Sequence, residues 1–272
     1  MTMICAVFIL PLTVSAGEQS GVIGIVDTEK NLFLPADRYS AETAMADMAA
    51  DSMRYALQTD IALINSGYIK SGIHQGEVDM EDIETVFSND PVLCICLFSV
   101  QNLKLYLENG VSQVVVGSDE KIDTEASESY LFPQVSGFTF KYDPTAPAGE
   151  RVYEIMIGGK AADLTDSDKK IITAVTDGAL DGIIDETDAE CFRTEKTLVD
   201  ALAEYIADGK ATAVDEGRIY ARGLADNYIT GNFPIRWVIL IVGVIAIAII
   251  LIVKRSVIFN NYSEEYGKPR KY

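Results

Sequence analysis

The chain is predicted to fold as an α+β protein, a layered α/β domain with mixed sheets, followed by one C-terminal transmembrane helix. Three observations lead there. Helix-like and strand-like segments alternate between residues 17 and 222 without a strict βαβ repeat, which favours mixed sheets. A composition of 49% hydrophobic and 23% charged residues supplies a core for one large domain or two small ones. Residues 237–253 form an apolar run with no charge, long enough at ~1.5 Å per residue to cover roughly 26 Å of bilayer.

Residues 1–16 are read as a signal peptide. Ile4 to Leu10 is a short apolar core, and Val14, Ser15 and Ala16 before Gly17 have the small-residue spacing of a cleavage site. The usual basic n-region is missing, so the signal is weak or its start lies upstream. Without Cys5 three cysteines remain, Cys94, Cys96 and Cys191. Cys94 and Cys96 alternate on one strand face, a spacing that strains a direct disulfide, and they are read as buried thiols.

Within the domain, residues 17–222, Ser40 is the expected cap of a helix bearing Met45, Met48, Ala49, Met53 and Ala56 at helical spacing. Such a stripe packs a core. Residues 61–64 then form a buried strand that enters a turn at Asn65, Ser66 and Gly67, and loops leaving strand ends commonly hold ligands. A short helix is expected over 79–86, a buried strand over 92–98, and a helix over 101–108 closed by Asn109 and Gly110. Further strands are expected over 113–116, 135–142, 152–157 and 171–175, with 117–129 an acidic, mobile loop. The last helix places Leu198, Val199, Leu202, Tyr205 and Ile206 on one face and stops at Gly209.

Beyond a tether at 223–234, the transmembrane helix is placed at 235–255 and a cytoplasmic tail at 256–272. A buried core helix is the alternative, but the run is apolar on every face. Arg236 and Lys254 can snorkel to the two interfaces, and Trp237 suits the headgroup belt. Residues 254–272 carry five basic side chains against Glu264 and Glu265, a net of +3, which orients the tail inward and the domain outward at the plasma membrane. Taking that +3 from the chain's −19 leaves −22 for residues 1–253. Membrane lipid is thus an expected partner through the helix, and nucleic acid is not, because like charge repels a phosphate backbone.

Several chemistries find no residues. A dinuclear hydrolytic centre needs several converging His, Asp and Asn ligands, and His74 is the sole histidine. Beside Gly72 and Gly76 it reads as a loop residue rather than a ligand. No nucleophile motif surrounds any Ser or Cys, and no Gly-rich phosphate loop is present. No metal or other cofactor and no catalytic residue is expected.

The ordered series of segments over about residues 38–219 resembles the C-terminal domain of the 5′-nucleotidase family, the half that binds the nucleoside. The pieces are Glu42 and Thr43 opening a helix that contains Asp51; Asn65, Gly67, Ile69 and Lys70 where the family has Asn-x-Gly-x-Ile-Arg; Gly76 with Glu77 and Val78; and Leu103, Lys104 and Glu108. Phe132 to Gly137, Asp143, Gly149 to Val152, Ile157 to Lys160, Asp181 with Gly182 in place of Gly-Gly-Asp-Gly, and Gly217 to Ile219 follow in family order.

The resemblance implies that Asn65, Gly67, Lys70, Arg38, Asp181 and Gly182 form the ligand site. Asn65 reads equally well as a turn residue satisfying its own backbone. The departures carry consequences. Lys70 replaces the family's arginine, keeping the charge and losing the bidentate fork. Leu93 and Ile183 stand where the family's two base-clamping aromatics are expected, which would cost stacking of roughly 1–3 kcal/mol per contact. Family members place a metallophosphatase domain first, with Asp-x-His, Gly-Asp and Gly-Asn-His motifs that are absent here. The chain therefore resembles a solo substrate-binding half, an extracellular accessory domain inactive by itself. Its expected ligand is a nucleoside or nucleotide, or its partner a cell-surface protein. One alternative is half of a split nucleotide hydrolase completed by a separate metallophosphatase subunit. Another is a structural surface module.

Overall fold

The computed structural model describes residues 21–27, 37–127, 129–180, 189–212 and 217–222. The expected signal peptide, tether, transmembrane helix and tail lie outside them. Among the described residues no helix is long and apolar enough to cross a membrane.

In chain order the elements are β1 (Gly24–Val26), α1 (Ala44–Leu57), β2 (Ile61–Asn65), β3 (Gly76–Val78), α2 (Met80–Val86), β4 (Val92–Phe98), α3 (Val100–Val111) and β5 (Pro133–Ser136). There follow β6 (Phe138–Tyr142), β7 (Val152–Ile157), β8 (Lys160–Ala161), β9 (Ile171–Thr176), β10 (Glu190–Thr197), α4 (Leu198–Ala207) and β11 (Ile219–Ala221). They build a five-stranded mixed sheet in the order β10-β4-β9-β2-β5, a four-stranded sheet β11-β6-β7-β8 and the pair β1-β3. The expected α+β class with mixed sheets is what is found.

Two cores separate the layers. The alanine and methionine face of α1, with Leu198, Leu202 and Ile206 of α4 and Ile83 of α2, buries Ala62, Ile64, Leu93 and Ala174 on one face of the five-stranded sheet. The other face, with Leu63, Cys94, Cys96, Phe98 and Val135, packs on α3 and on Phe138, Phe140, Tyr142 and Ile155 of the smaller sheet. Parity within each strand sends successive side chains to opposite cores.

Several expected boundaries move. Thr43, not Ser40, caps α1, its hydroxyl accepting from Ala46 N–H at 3.3 Å. Ser40 is buried instead, with its carbonyl accepting from Tyr142. α3 runs through Asn109 and Gly110, because a Cβ on Gly110 would strike Pro133 and the Leu131 carbonyl; glycine here permits close packing rather than ending the helix. The single strand expected over 135–142 is two. Gly137 adopts φ +83° with Asp60 O where a Cβ would stand, and the chain crosses there from one sheet to the other. No strand forms over 113–116, where a lone bridge joins Val116 to Ile122.

Cys96 is not a thiol. It forms a disulfide with Cys191 on β10, the residue directly opposite in the ladder, and among the described cysteines Cys94 alone stays reduced and buried. β10 itself is absent from the sequence expectations, since Glu190, Arg193, Glu195 and Lys196 give it no apolar alternation.

Many residues that carry the family resemblance hold the fold. Glu108 accepts the backbone N–H groups of Arg151 and Val152 at 2.9 and 2.8 Å, joining α3 to β7. Arg151 in turn donates to the carbonyls of Val114 and Ala146 at 2.9 and 3.1 Å.

Candidate functional site

β2 and β9 are parallel, so their C-terminal ends open on the same edge of the five-stranded sheet. β4 and β5 run antiparallel to these strands and begin at that edge, at Val92 and Pro133. The segments leaving Asn65 and Thr176 and those entering Val92 and Pro133 therefore meet in space, although the first two lie far apart in sequence. Loops held by strand ends in this way are rigidly placed and free to carry polar groups.

The turn after β2 is locked by its backbone. Ser66 and Gly67 donate to the carbonyls of Phe132 and Tyr130, both at 2.9 Å, while Lys70 donates to Val86 at 2.7 Å and Ser88 to Tyr68 at 2.9 Å. Gly67 suits the close packing at its position: a Cβ there would stand a tight 3.0 Å from both the Cβ and the carbonyl oxygen of Tyr130. Buried Gln134 secures the other side, donating to Ala41 O at 2.8 Å and Ser66 Oγ at 3.1 Å and accepting from Thr43 N–H.

Asn65 ends β2, 6% exposed, and its side-chain oxygen accepts from the Tyr106 hydroxyl. Burial pushes the Tyr106 phenol far up, so it remains a neutral donor. With the oxygen engaged by the core, the Asn65 amide NH2 donates to no protein atom among the described residues. Lys70, at the end of the same turn, is exposed and forms no ion pair among the described residues.

Arg38 joins this site through two tyrosines. Its guanidinium lies over the Tyr39 ring at 4.4 Å and donates to the Tyr39 hydroxyl; the Tyr39 ring meets Tyr130 edge-on at 4.9 Å. Tyr130, 62% exposed, stands directly over Gly67. Asn65, Gly67, Lys70 and Arg38 are thus brought to one place, with Tyr39 and Tyr130 added between them. Neither tyrosine was a sequence candidate. Their signal was adjacency, Tyr39 beside Arg38 and Tyr130 two residues before Phe132, and it becomes legible only when Gly67 is seen between them.

Leu93 requires a correction. It is 0% exposed, opposite Thr176 in the ladder and inside the core beneath α1 and α4, so a ring at this position would enter the core and meet no ligand. Asp181, Gly182 and Ile183 lie outside the described residues. The described chain approaches them through a 3-10 turn at Asp177–Leu180, where Gly178 leaves room for the Tyr68 hydroxyl and Asp177 pairs with Arg193 at 2.9 Å.

His74 is an exposed loop residue, its Nε2 3.3 Å from Asp82. The Gln75 carbonyl and the neighbouring Asp82 and Asp79 carboxylates hold its imidazole above the ordinary value. No group of three His, Cys, Asp or Glu among the described residues could hold a metal.

An open cleft of about 1100 Å³ lies at the opposite edge of the sheet, between Arg54 and Tyr55 of α1, Phe138 and Arg218. Several of its polar groups are already engaged: Tyr55 donates to Asp208, Arg54 to Asp60 O, and Arg218 to Asp51. At the Asn65 edge the Asn65 amide and the Lys70 ammonium have no partner among the described residues and share one locked turn, which makes it the stronger candidate for recognition.

Comparison with known proteins bears on the family and the fold. A family model described as 5′-nucleotidase, C-terminal domain, matches residues 22–181. The trifunctional nucleotide phosphoesterase protein of Bacillus subtilis is 28% identical over 140 residues, 48% of this chain and 9% of that protein. The 5′-nucleotidase precursor of Thermus thermophilus superposes with a TM-score of 0.62 at 22% identity, over 74% of this chain and 39% of its own. A Staphylococcus aureus putative 5′-nucleotidase, solved with alpha-ketoglutarate, gives 0.64 at 16% identity, over 74% and 41%. At these identities the superpositions speak to the fold, a layered mixed α+β architecture, and the chain spans well under half the length of each relative.

Proposed function

This chain belongs to the 5′-nucleotidase C-terminal domain family, and on that footing we propose that it is a binding domain that holds a nucleoside or nucleotide at the Asn65–Lys70 turn without hydrolysing it by itself. One observation carries the reading: the Asn65 amide and the Lys70 ammonium, without partners among the described residues, lie on a locked turn beside Arg38, Tyr39 and Tyr130. In this reading Lys70 and Arg38 attract the phosphate, Asn65 donates to the ribose or base, and the exposed face of Tyr130 receives the flat ring. Lys70 is a point charge without an arginine's fork, so phosphate binding is weak and loosely oriented.

We place the domain outside the cell on a membrane anchor. The charge-free run at 237–253 and the basic tail support that placement, as does the Cys96–Cys191 disulfide, a bond that persists in oxidising compartments. A second reading is favoured by the relatives' names and lengths: nucleotidases and a phosphoesterase of which this chain matches 39%, 41% and 9%. In it, a separate metallophosphatase subunit completes a nucleotide hydrolase.

Calorimetry with AMP and adenosine on the full chain tests the binding reading. Lys70→Ala is expected to weaken AMP binding about tenfold, the loss of one charge-assisted hydrogen bond, and to leave adenosine binding unchanged. Absence of binding to the unmodified chain, or an equal loss for both ligands, would remove the nucleotide from this turn.

A further inference from the structure

At the end of the five-stranded sheet away from Asn65, one face is left bare. Pairing places Phe192 opposite Ile95 and Ile95 opposite Ala174; one step along, Glu190 lies opposite Leu97 and Leu97 opposite Ile172. Directly opposed residues project to the same face. Ile95, Leu97, Ile172 and Phe192 therefore form one apolar surface across β10, β4 and β9. None of the four belongs to either core. α1 and α4 cover Leu93 and Ala174 on this face and leave Phe192 60% and Ile172 43% exposed.

The same patch ends at an open sheet edge. Among the described residues β10 pairs on one side, with β4, so its outer N–H and C=O groups face away from the sheet. Natural edges of this length are usually blunted by charge, because an unpaired ladder recruits another strand. Here the charges are unequal. Arg193 is taken by Asp177 at 2.9 Å and Lys196 by Glu204, whereas Glu190 and Glu195 have no ion pair among the described residues. The edge therefore presents carboxylates, with its cations already neutralised.

We infer that β10 and the adjoining apolar patch form a docking surface for an extended basic segment of a partner protein, added as a sixth strand. Three features select this occupant. The unpaired backbone groups are satisfied by a strand and not by a helix. Alternate apolar side chains of that strand would extend the Phe192 surface, while its lysines or arginines would meet Glu190 at the end of that same face and Glu195 farther along the edge. A second copy of this chain would instead bring glutamates against glutamates in a molecule of net charge −19, which disfavours self-pairing. The Cys96–Cys191 disulfide fastens the strand to β4, so little ordering cost falls on binding. The apolar patch lies at the opposite end of the sheet from the proposed nucleotide turn, and the inference does not depend on that reading.

The test uses the full chain and a fluorescein-labelled peptide of alternating lysine and valine. Two controls accompany it, the same peptide with glutamate for lysine and one N-methylated at alternate amides. The lysine peptide is expected to bind at least about tenfold more tightly than either control and to slow amide exchange in residues 190–196. Phe192→Ser should weaken it by about the same factor, and Glu190→Lys with Glu195→Lys should turn the preference toward the glutamate peptide. Both sets of changes lie on exposed side chains, and unchanged circular dichroism confirms the fold. No binding, or binding indifferent to N-methylation and to Phe192→Ser, overturns the proposal. A concentration-dependent dimer that protects the β10 amides also overturns it, in favour of a second copy.

Discussion

A leucine wholly excluded from water has no space for a larger ring, and Leu93 is such a residue. Leu93→Phe is expected to overpack the core beneath α1 and α4 and to cost about 1–3 kcal/mol, read as a lower urea midpoint with unchanged slope. Adenosine affinity should not rise. A gain in affinity with no loss of stability would mean that the side chain turns out of the core. The contrast with Lys70 is instructive at the same scale. Both positions come from the same family pattern, but Lys70 sits on a turn that the backbone of Val86 holds at the surface, while Leu93 is turned inward by its register with Thr176.

Among elements, β11 is the most dependent on buried charge. Arg218 donates to both carboxylate oxygens of Asp51 at 2.9 Å and to Val135 O at 2.8 Å, with Ser136 completing Asp51 at 2.6 Å. Glu42, two residues before α1, accepts the N–H groups of Gly217, Arg218 and Ile219 at 2.8, 2.8 and 2.9 Å. Asp47 lies 3.8 Å from Arg218, fully buried, and burial with the nearby Glu42 holds its carboxyl well above the usual range. Arg218→Met keeps much of the volume and removes the cation from three acidic neighbours. Loss of about 3–5 kcal/mol is expected, with proteolysis opening first at the β11 end. A variant as stable as the parent would show that the network contributes position and not stability.

For the whole molecule, the Cys96–Cys191 bond closes a segment of 95 residues and ties the sheet's outer strand β10 to its neighbour β4. Cys191→Ser should lower the free energy of unfolding by about 2–4 kcal/mol and hasten amide exchange along β10. Equal stability with and without the bond would assign it no part in holding the edge. Nothing local in the sequence signals this pairing, because β10 lacks apolar alternation and the partners are joined only by register. What the sequence determined by itself were segments whose burial is written in their own periodicity: the strands at 92–98 and 152–157, the amphipathic α4, the turn after Ile64, and the family to which their order belongs. The tertiary structure alone decided what depends on close approach between distant residues. It broke 135–142 at Gly137, carried α3 through Gly110 against Pro133, sent Leu93 into a core, and brought Tyr39 and Tyr130 together around Gly67. Periodicity reports which side of a segment is buried, whereas a neighbour is chosen by packing and ladder register, which no short stretch of chain contains.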